Sequence, residues 1–485
     1  MHGGIVCILF AAALFVAAVD RVLAVPSTFA RECTLRPLGP GKDDTAQVKA
    51  AIAACGKGGR TTFDPGEYNI TSKMTWNLVE SRVDMHGYLN FQPDIQYWLN
   101  ASNTYRVVFI QSQASWFVIT GREFEVDAHN EGGINGNGQV NRFLGISSAL
   151  LRCLIDKLYL PRAQPWWSYY ANRTREDGDG RPISFTLSNA RNARISNFQV
   201  IAPPFWCNAV ADSEDVVYDG MKCNATNTDP AGAGKNLVPN TDGIDTYRSN
   251  RLTLNNWDVT CGDDCLAVKG NTTNLKVNNV TCRGGNGIAF GSLGQYVDLR
   301  DLARYRGERV HAEPKGTIAV LKSYHEIMIR LDPEVQPNMQ SGVYFKSWTG
   351  TVNGVPPTGG GGGGGRVSNV VLRNVSLDRV ALPTQIYQTN GGHSTDAPSK
   401  LQFSNIIWVV WTGTSTGDRL VSLSCSPAAP CPDMFFQSFD VTPPNNGTAQ
   451  YVCSNVVNEQ GLPGPAVRFL SMLDVTDVTV PTDCS

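Results

Sequence analysis

Aspartates that could perform acid–base chemistry recur at nearly constant spacing in the middle of the chain. Asp242 stands in the segment NTDGID, and Asp263 and Asp264 stand in GDDC, with Asp263 21 residues after Asp242. Asn286, in GNGIAFGS, follows Asp263 after a further 23 residues. Such a step is typical of a solenoid, in which equivalent positions on successive coils stack about 4.8 Å apart. We therefore expect these four side chains to converge on one patch.

Carboxyl groups brought this close repel each other when ionised, which favours retention of one proton near neutral or mildly acidic pH. One protonated and one ionised carboxyl group can hydrolyse a glycosidic bond, because the acid protonates the leaving oxygen and the base activates water. Asp-Gly and Gly-Asp also mark ordinary turns, so the alternative is a pair of aspartate-rich turns without chemistry. The order and spacing of the two motifs favour the catalytic interpretation.

The two aspartate motifs resemble those of glycoside hydrolase family 28, the polygalacturonases and related pectin hydrolases. The resemblance extends over most of residues 30–480. It implies a right-handed parallel β-helix and a metal-independent hydrolysis with inversion at the anomeric carbon, without a cofactor. It assigns Asp263 as the general acid, and Asp242 and Asp264 as the pair that activates the hydrolytic water.

Substrate recognition departs from the polygalacturonase pattern at two places. Asn286 stands where polygalacturonases carry the histidine of Gly-His-Gly; an amide cannot titrate, but it can hydrogen-bond a sugar or the acid. Tyr344 replaces the arginine of Arg-Ile-Lys, so Lys346 retains one cation and Tyr344 offers a face for stacking on a sugar. Asp245 and Asn240 are expected to be structural or cleft-edge partners. With the segment GSLGQY, this set is most similar to the fungal exo-polygalacturonase and exo-rhamnogalacturonan-hydrolase branch.

The resemblance predicts a secreted glycosidase that acts on a pectic polysaccharide from the chain end, cleaving α-1,4-linked galacturonic acid. The alternative within the class is a rhamnose–galacturonate linkage or a terminal rhamnose, which the changes at Asn286 and Tyr344 favour. A pectate lyase would need a calcium site and a strongly basic proton abstractor, and the order of the motifs speaks against it. A non-catalytic β-helix, serving as an adhesin or a carbohydrate-binding module, would have no reason to place three aspartates on adjacent coils.

The rest of the chain repeats a short alternating strand that ends at Asn or Asp. The clearest examples are residues 193–198, 214–219, 251–256, 275–280, 370–375 and 401–406. Asparagine suits such strand ends because it tolerates a left-handed backbone and can bond its own main chain. Upstream, Val107–Ile110 and Trp116–Ile119 are predicted to be buried strands. We predict an all-β fold, a single right-handed parallel β-helix, over a two-sheet sandwich, whose hairpins need not keep this period.

A short N-terminal helix is predicted over Asp44–Cys55. Asp44 serves as its N-cap with Gln47 three residues on, and Gly56 follows as a stop signal. Because the open end of a solenoid must be covered, we assign this helix the capping role.

Four further segments carry weaker signals. The glycine-rich residues 132–139 suit tight turns and lack the Lys-Ser/Thr of a phosphate-binding loop. The aromatic residues at 166–170 either line a sugar cleft or pack in the core. Residues 355–366, with seven consecutive glycines, are expected to form a flexible insertion, either at the rim of the cleft or as a neutral expansion. Residues 425–485 are expected to form a tail packed on the last coils.

Residues 1–24 are predicted to be a secretory signal, because Ile5–Val19 is nearly all apolar and small residues follow it. An uncleaved signal anchor is the alternative, which the shortness of the apolar run disfavours. One domain is predicted over 25–485, with no second domain and no membrane span. The formal net charge of −2 does not indicate a general attraction to nucleic acid or to an anionic membrane. We expect a monomer.

Removal of the predicted leader leaves twelve of the 13 cysteines, an even number that indicates disulfide bonds in a secreted chain. Three local pairs are predicted: Cys33–Cys55, Cys265–Cys282 and Cys425–Cys431. A zinc site at Cys261 and Cys265 is the weaker alternative, because no second ligand cluster accompanies that pair. Eight Asn-x-Ser/Thr sequons agree with secretion and stand at Asn69, Asn100, Asn172, Asn224, Asn271, Asn279, Asn374 and Asn446.

Overall fold

The computed structural model of the protein describes residues 29–108, 113–139, 166–170, 180–227, 236, 238–295, 317–318, 321–322, 327–330, 341–354, 359–388 and 397–462. Several sequence-based expectations fall outside these ranges: the leader at 1–24, residues 109–110, the sequon at Asn172, Tyr296 of GSLGQY, residues 355–358 and residues 463–485.

Short strands make up most of the described chain. The first are β1 (Arg31–Leu35), β2 (Gly59–Phe63), β3 (Glu67–Ile70), β4 (Met74–Met85), β5 (Tyr88–Phe91), β6 (Tyr105–Val108), β7 (Gln113–Ser115), β8 (Phe117–Asp127), β9 (Gly133–Asn135) and β10 (Pro182–Ile183). The middle ones are β11 (Phe185–Ser196), β12 (Gln199–Ile201), β13 (Asn208–Ala211), β14 (Glu214–Asp219), β15 (Lys222–Asn224), β16 (Ile244–Tyr247), β17 (Asn250–Thr260), β18 (Asp264–Val268), β19 (Thr273–Arg283) and β20 (Gly287–Leu293).

The last strands are β21 (Thr317–Ile318), β22 (Leu321–Lys322), β23 (Ile327–Arg330), β24 (Ser341–Ser347), β25 (Gly364–Val380), β26 (Leu382–Tyr387), β27 (Lys400–Ser415), β28 (Arg419–Ser424), β29 (Cys431–Thr442), β30 (Gln450–Ser454) and β31 (Val456–Gln460). The described helices are α1 (Thr45–Cys55), α2 (Ile95–Leu99) and α3 (Trp166–Tyr170), and 3-10 turns occupy Ala101–Asn103 and Pro444–Asn446.

Each strand of the main sheet pairs in parallel with a strand about one coil later in the chain. In β16, β18, β20 and β24, Asp245 lies beside Ala267, Ala267 beside Ala289, and Ala289 beside Tyr344. The register therefore stacks equivalent positions of successive coils. The prediction of a right-handed parallel β-helix is confirmed.

Asparagine columns hold the coil corners together. Asn256 and Asn279 have φ values of 56° and 52°, in the left-handed region. The Nδ2 group of Asn279 donates to Oδ1 of Asn256 at 2.7 Å, and that of Asn278 donates to Oδ1 of Asn255 at 2.9 Å. The structural role predicted for these asparagines is confirmed.

Apolar side chains of successive coils stack inside the helix of strands. The rings of Phe290 and Phe345 stack with centroids 4.5 Å apart, and those of Trp408 and Phe436 with centroids 4.3 Å apart. The burial of such rings supplies most of the driving force for stacking the coils.

Helix α1 packs on β1, β2 and β4 through buried Val48 and Ile52, so the predicted capping helix is present. Its N-terminus differs in detail from the prediction. The Asp44 carboxylate accepts hydrogen bonds from the main-chain N–H of Leu38 and Asn69 and from Gln47 Nε2, and it makes no hydrogen bond to a main-chain N–H of the helix. Asp43 Oδ1 instead accepts from the Thr45 N–H at 2.9 Å.

Four segments differ from expectation or decide between alternatives. Val107, predicted to be buried, is half-buried in a small separate sheet, where β6 runs antiparallel to β7. The glycine-rich residues 132–139 include strand β9 as well as turns. The side chains of Trp166, Trp167 and Tyr170 pack in the core, which favours packing over a cleft lining. Residues 425–462 form further coils through β29, β30 and β31, so the tail expected there is wrong for the described part.

The glycine run is bound to the neighbouring coil by main-chain hydrogen bonds. The N–H groups of Gly361, Gly362 and Gly363 donate to the carbonyl oxygens of Gln295, Thr349 and Gly294, respectively. Gly361 has a φ of +119°, and a Cβ on it would lie 1.9 Å from the Thr351 oxygen, so a side chain cannot fit. The expectation of a flexible insertion is therefore wrong for residues 359–363.

The three predicted disulfides are present: Cys33–Cys55, Cys265–Cys282 and Cys425–Cys431. A further bond, Cys207–Cys223, was not predicted. Cys261 is buried and forms no disulfide with a described residue, and its thiol donates to the Asp263 carbonyl oxygen at 3.2 Å. Because Cys265 is bonded to Cys282, the zinc alternative is wrong. Within the described ranges, no helix is long and apolar enough to cross a membrane.

Candidate active site

The aspartate motifs lie side by side where three neighbouring strands begin. The main-chain N–H of Gly243 donates to the main-chain carbonyl oxygen of Asp264 at 3.0 Å, and the N–H of Asn286 donates to that of Asp263 at 2.8 Å. One carboxylate oxygen from each of Asp242, Asp263 and Asp264 lies within 4.8 Å of the others. The step of 21 to 23 residues is thus one coil, and the structure brings the four residues together as the spacing predicted.

Asp263 is held by four N–H donors. Its Oδ2 atom accepts from the main-chain N–H and the Nδ2 group of Asn240, at 3.2 and 3.1 Å. Its Oδ1 atom accepts from the Asp264 N–H at 2.9 Å and from Asn286 Nδ2 at 3.1 Å. These donors favour the ionised form, but burial, followed by the charge of Asp264, raises the pKa of Asp263 to about 6. Asp263 can therefore carry a proton at mildly acidic pH.

Asp264 is buried and bound by two side chains that suit an ionised carboxylate. The Tyr344 hydroxyl donates to Oδ1, and Lys346 Nζ donates to Oδ2 at 3.2 Å. Lys346 Nζ also donates to the Tyr344 oxygen at 3.0 Å, so the three residues form one closed network. Charge-assisted hydrogen bonds of this kind stabilise negative charge.

Asp242 and Asp245 are also buried. No described group hydrogen-bonds to Oδ1 of Asp242, and burial, helped by the charges of neighbouring aspartates, raises the pKa of Asp242 well above its usual value. Asp245 lies 3.3 Å from Lys269 Nζ, and burial raises the pKa of Asp245 to about 7 even though Lys269 opposes the shift. Together with Asp263, three of the four acids therefore retain protons more readily than a solvated aspartate does.

Tyr344 does not offer the open stacking face that the sequence suggested. Its side chain is buried, its hydroxyl is bonded to Asp264, and its ring lies parallel to that of Tyr387 at 6.3 Å between centroids. Tyr387 is half-buried and pairs in register with Lys346, so it is the ring nearer to the surface. Asn286 contacts the acid, which was one of its two expected partners.

Sequence reasoning missed Lys269, Tyr387 and Arg181. Lys269 stands two residues after Ala267, the neighbour of Asp245 in register, so strand alternation could have placed it on the same face. Tyr387 stands in an alternating strand, LPTQIY, that carried no motif. The Nη2 group of Arg181 donates to Oδ1 of Asn240 at 2.8 Å, a contact that no spacing in the sequence predicts.

Three carboxylate oxygens at this distance could also attract a hard cation. Here the chain's own groups already bind two of the three carboxylates: four N–H donors hold Asp263, and Tyr344 and Lys346 hold Asp264. We therefore interpret the cluster as acid–base equipment. The nearest oxygens lie closer than the gap of roughly 6.5–9.5 Å that inverting glycosidases leave between carboxyl groups, so inversion stays a family expectation.

Neighbouring carboxyl groups on a parallel β-helix, one of which can carry a proton at mildly acidic pH, indicate a glycoside hydrolase. A family model described as "Glycosyl hydrolases family 28" matches residues 77–303 and 341–461. The chain belongs to this family, and the resemblance drawn from the motifs is confirmed.

Known proteins agree with this assignment. The chain is 37% identical over 455 residues to a putative galacturan 1,4-alpha-galacturonidase A of Aspergillus niger, covering 89% of this chain and 92% of that protein. It is 28% identical to an alpha-L-rhamnosidase of Aspergillus niger, covering 87% of each. The solved endo-xylogalacturonan hydrolase of Aspergillus tubingensis shares the fold, with a TM-score of 0.66, 20% identity, and coverage of 90% of this chain and 99% of that one.

Proposed function

We propose that this chain is a secreted, monomeric exo-hydrolase of pectic polysaccharide that releases α-1,4-linked galacturonic acid from the chain end. Asp263 acts as the general acid, and Asp264 and Asp242 activate the hydrolytic water. The family and the name of the 37% identical relative support the substrate class.

The observation that carries the mechanism is the difference between neighbouring carboxyl groups. Asp263 has a pKa of about 6 and can donate a proton to the leaving oxygen at mildly acidic pH. Asp264 is held by Tyr344 and Lys346 as an acceptor, which suits removal of a proton from water. Asp242, at the same patch and without a described donor on Oδ1, is the second group available to the water.

The two buried lysines bear on the choice of sugar. Lys346 and Lys269 give this patch positive charge, which supports binding of an anionic sugar. Both ammonium groups nevertheless lie against carboxylates, Lys346 against Asp264 and Lys269 against Asp245. That observation favours a second candidate, release of a neutral terminal rhamnose, and one relative is named an alpha-L-rhamnosidase.

Product analysis tests the proposal. Purified protein is incubated with galacturonic acid oligomers and, separately, with rhamnogalacturonan oligomers, and products are separated by anion-exchange chromatography at early times. We expect galacturonic acid monomer as the first product, lost in Asp263→Asn and retained in Asp258→Asn, a half-exposed aspartate paired with Arg283 on the outer surface. Release from rhamnogalacturonan alone would support the second candidate, and activity on neither substrate would refute both.

A further inference from the structure

Among the described side chains, only the carboxamide of Asn240 donates a hydrogen bond to Oδ2 of Asp263. Asn240 has a φ of +59°, a left-handed conformation that asparagine tolerates, and its main-chain N–H contacts the same oxygen. Asn240 thus supplies both described donors to the Oδ2 atom of Asp263. The orientation of this carboxamide decides whether an N–H group or a carbonyl oxygen faces the acid.

Arg181 fixes that orientation. Its Nη2 group lies 2.8 Å from Oδ1 of Asn240, and its Nη1 group lies 3.1 Å from the carbonyl oxygen of Pro239. A guanidinium group can only donate hydrogen bonds, so the Asn240 atom that faces it must be the oxygen. The Nδ2 group is then directed at Asp263.

The guanidinium group of Arg181 is itself held in place. Arg181 is only 3% exposed. Its Cζ atom lies 4.9 Å from the ring centroid of Tyr170 and 4.7 Å from that of Phe205. Stacking on aromatic rings and two hydrogen bonds from one planar fork leave the group little freedom to turn.

We propose that Arg181 is a positioning residue for the general acid: it fixes the Asn240 carboxamide so that an N–H group, not a carbonyl oxygen, faces Asp263. The inference rests on the proposed function, because it requires Asp263 to be the acid. Arg181 itself acts only through Asn240.

The contact has a predictable effect on proton transfer. An N–H donor favours the ionised carboxylate and so opposes the rise that burial imposes on the pKa of Asp263. Without Arg181 the carboxamide can turn its oxygen toward the acid, where it accepts the acid's proton and favours the protonated form. Loss of Arg181 should therefore raise the pKa of Asp263.

The test is the pH dependence of kcat/KM for a galacturonic acid oligomer in Arg181→Met and Arg181→Lys. We expect the alkaline limb of the pH profile to shift to higher pH by about 0.5–1 unit in Arg181→Met and by less in Arg181→Lys. We also expect kcat to fall about tenfold, with KM changed less than about twofold, because the acid is less well placed. Asn240→Gly removes the carboxamide at a position with positive φ, and it should move the limb in the same direction.

Two further variants separate positioning from general stability. Arg82→Met breaks the ion pairs of Arg82 with Asp84 and Glu125 in the N-terminal coils and should lower the melting temperature without moving the limb. The double variant Arg181→Met/Asn240→Gly should show no larger shift than Asn240→Gly alone. An unmoved limb in Arg181→Met, or an equal shift in Arg82→Met, would overturn the inference. Full activity of Asp263→Asn would instead refute the proposed function on which the inference rests.

Discussion

Adjacent residues of one type have different hydrogen-bond partners at this site. Asp263 and Asp264 follow each other in the chain, yet Asp263 faces neutral N–H donors and Asp264 faces a lysine and a tyrosine hydroxyl. Burial, followed by the charge of Asp264, raises the pKa of Asp263, whereas its N–H donors oppose that rise. The surroundings of a carboxyl group, and not its residue type, therefore decide whether it keeps a proton.

The pH dependence of the reaction follows from the acid. Because the pKa of Asp263 is about 6 and the reaction needs its protonated form, kcat/KM should fall about tenfold per pH unit above pH 6. The measurement is kcat/KM for a galacturonic acid oligomer between pH 3 and 8. A rate that continues to rise through pH 7 would show that no acid with this pKa is needed.

We predict that Asp242 lowers the stability of the folded protein at neutral pH. The pKa of its carboxyl group is raised in the folded protein, so the folded state binds more protons than the unfolded state, and stability falls as pH rises above the unfolded value. Asp242→Asn should therefore raise the melting temperature by about 2 °C or more at pH 7.5, and by less at pH 4, while activity falls at least about 100-fold. Thermal unfolding at both pH values checks this, and equal melting temperatures at pH 7.5 would contradict it.

Tyr344 is predicted to support the base and not to bind sugar by stacking. Tyr344→Phe keeps the ring beside Tyr387 but removes the donor to Asp264, so kcat should fall about tenfold or more, with KM nearly unchanged. The matched control is Tyr68→Phe, which removes a buried hydroxyl bonded to the Leu35 oxygen and should lower stability by about 1 kcal/mol without changing kcat. A rise in KM alone would show that the hydroxyl binds the sugar and does not support Asp264.

At the scale of elements, the coil period is what made the site predictable. A solenoid converts spacing in sequence into position in space, so two motifs one coil apart had to meet, and strand alternation could have placed Lys269 beside them. Arg181 could not be placed, because it reaches Asn240 over 59 residues without a repeat that relates them. The orientation of Tyr344 and the Cys207–Cys223 bond depend on packing between coils, which residue types alone do not fix.

The glycine run is predicted to be a structural element of its coil. Gly361→Ala would place a Cβ 1.9 Å from the Thr351 oxygen at a φ of +119°, so it should lower stability by roughly 2 kcal/mol or more. Gly270→Ala is the control, because a Cβ there meets nothing within 4 Å. Chemical denaturation of both variants measures the difference. Equal stability of the two variants would support the alternative that this segment is a neutral expansion.

At the scale of the whole molecule, one stacked core supports a site spread over several coils. The side chains of Asp242, Asp263 and Asn286 lie at or just before the starts of β16, β18 and β20, and that of Lys346 lies in β24. Each of these strands pairs in register with the next. A disulfide, Cys265–Cys282, anchors the strand that carries Asp264. The molecule can therefore hold the proposed acid and base in place with elements that are individually short.

The central claim is that Asp263 donates the proton to the leaving group. The direct measurement compares Asp263→Asn with the native protein on two substrates, digalacturonate and a nitrophenyl α-galacturonide, whose leaving group needs little protonation. We predict that kcat/KM of Asp263→Asn falls about 1,000-fold on digalacturonate but only about 100-fold or less on the nitrophenyl substrate. For Asp264→Asn, we predict a similar fall on both substrates. Equal losses of Asp263→Asn on the two substrates would contradict the assignment of Asp263 as the acid.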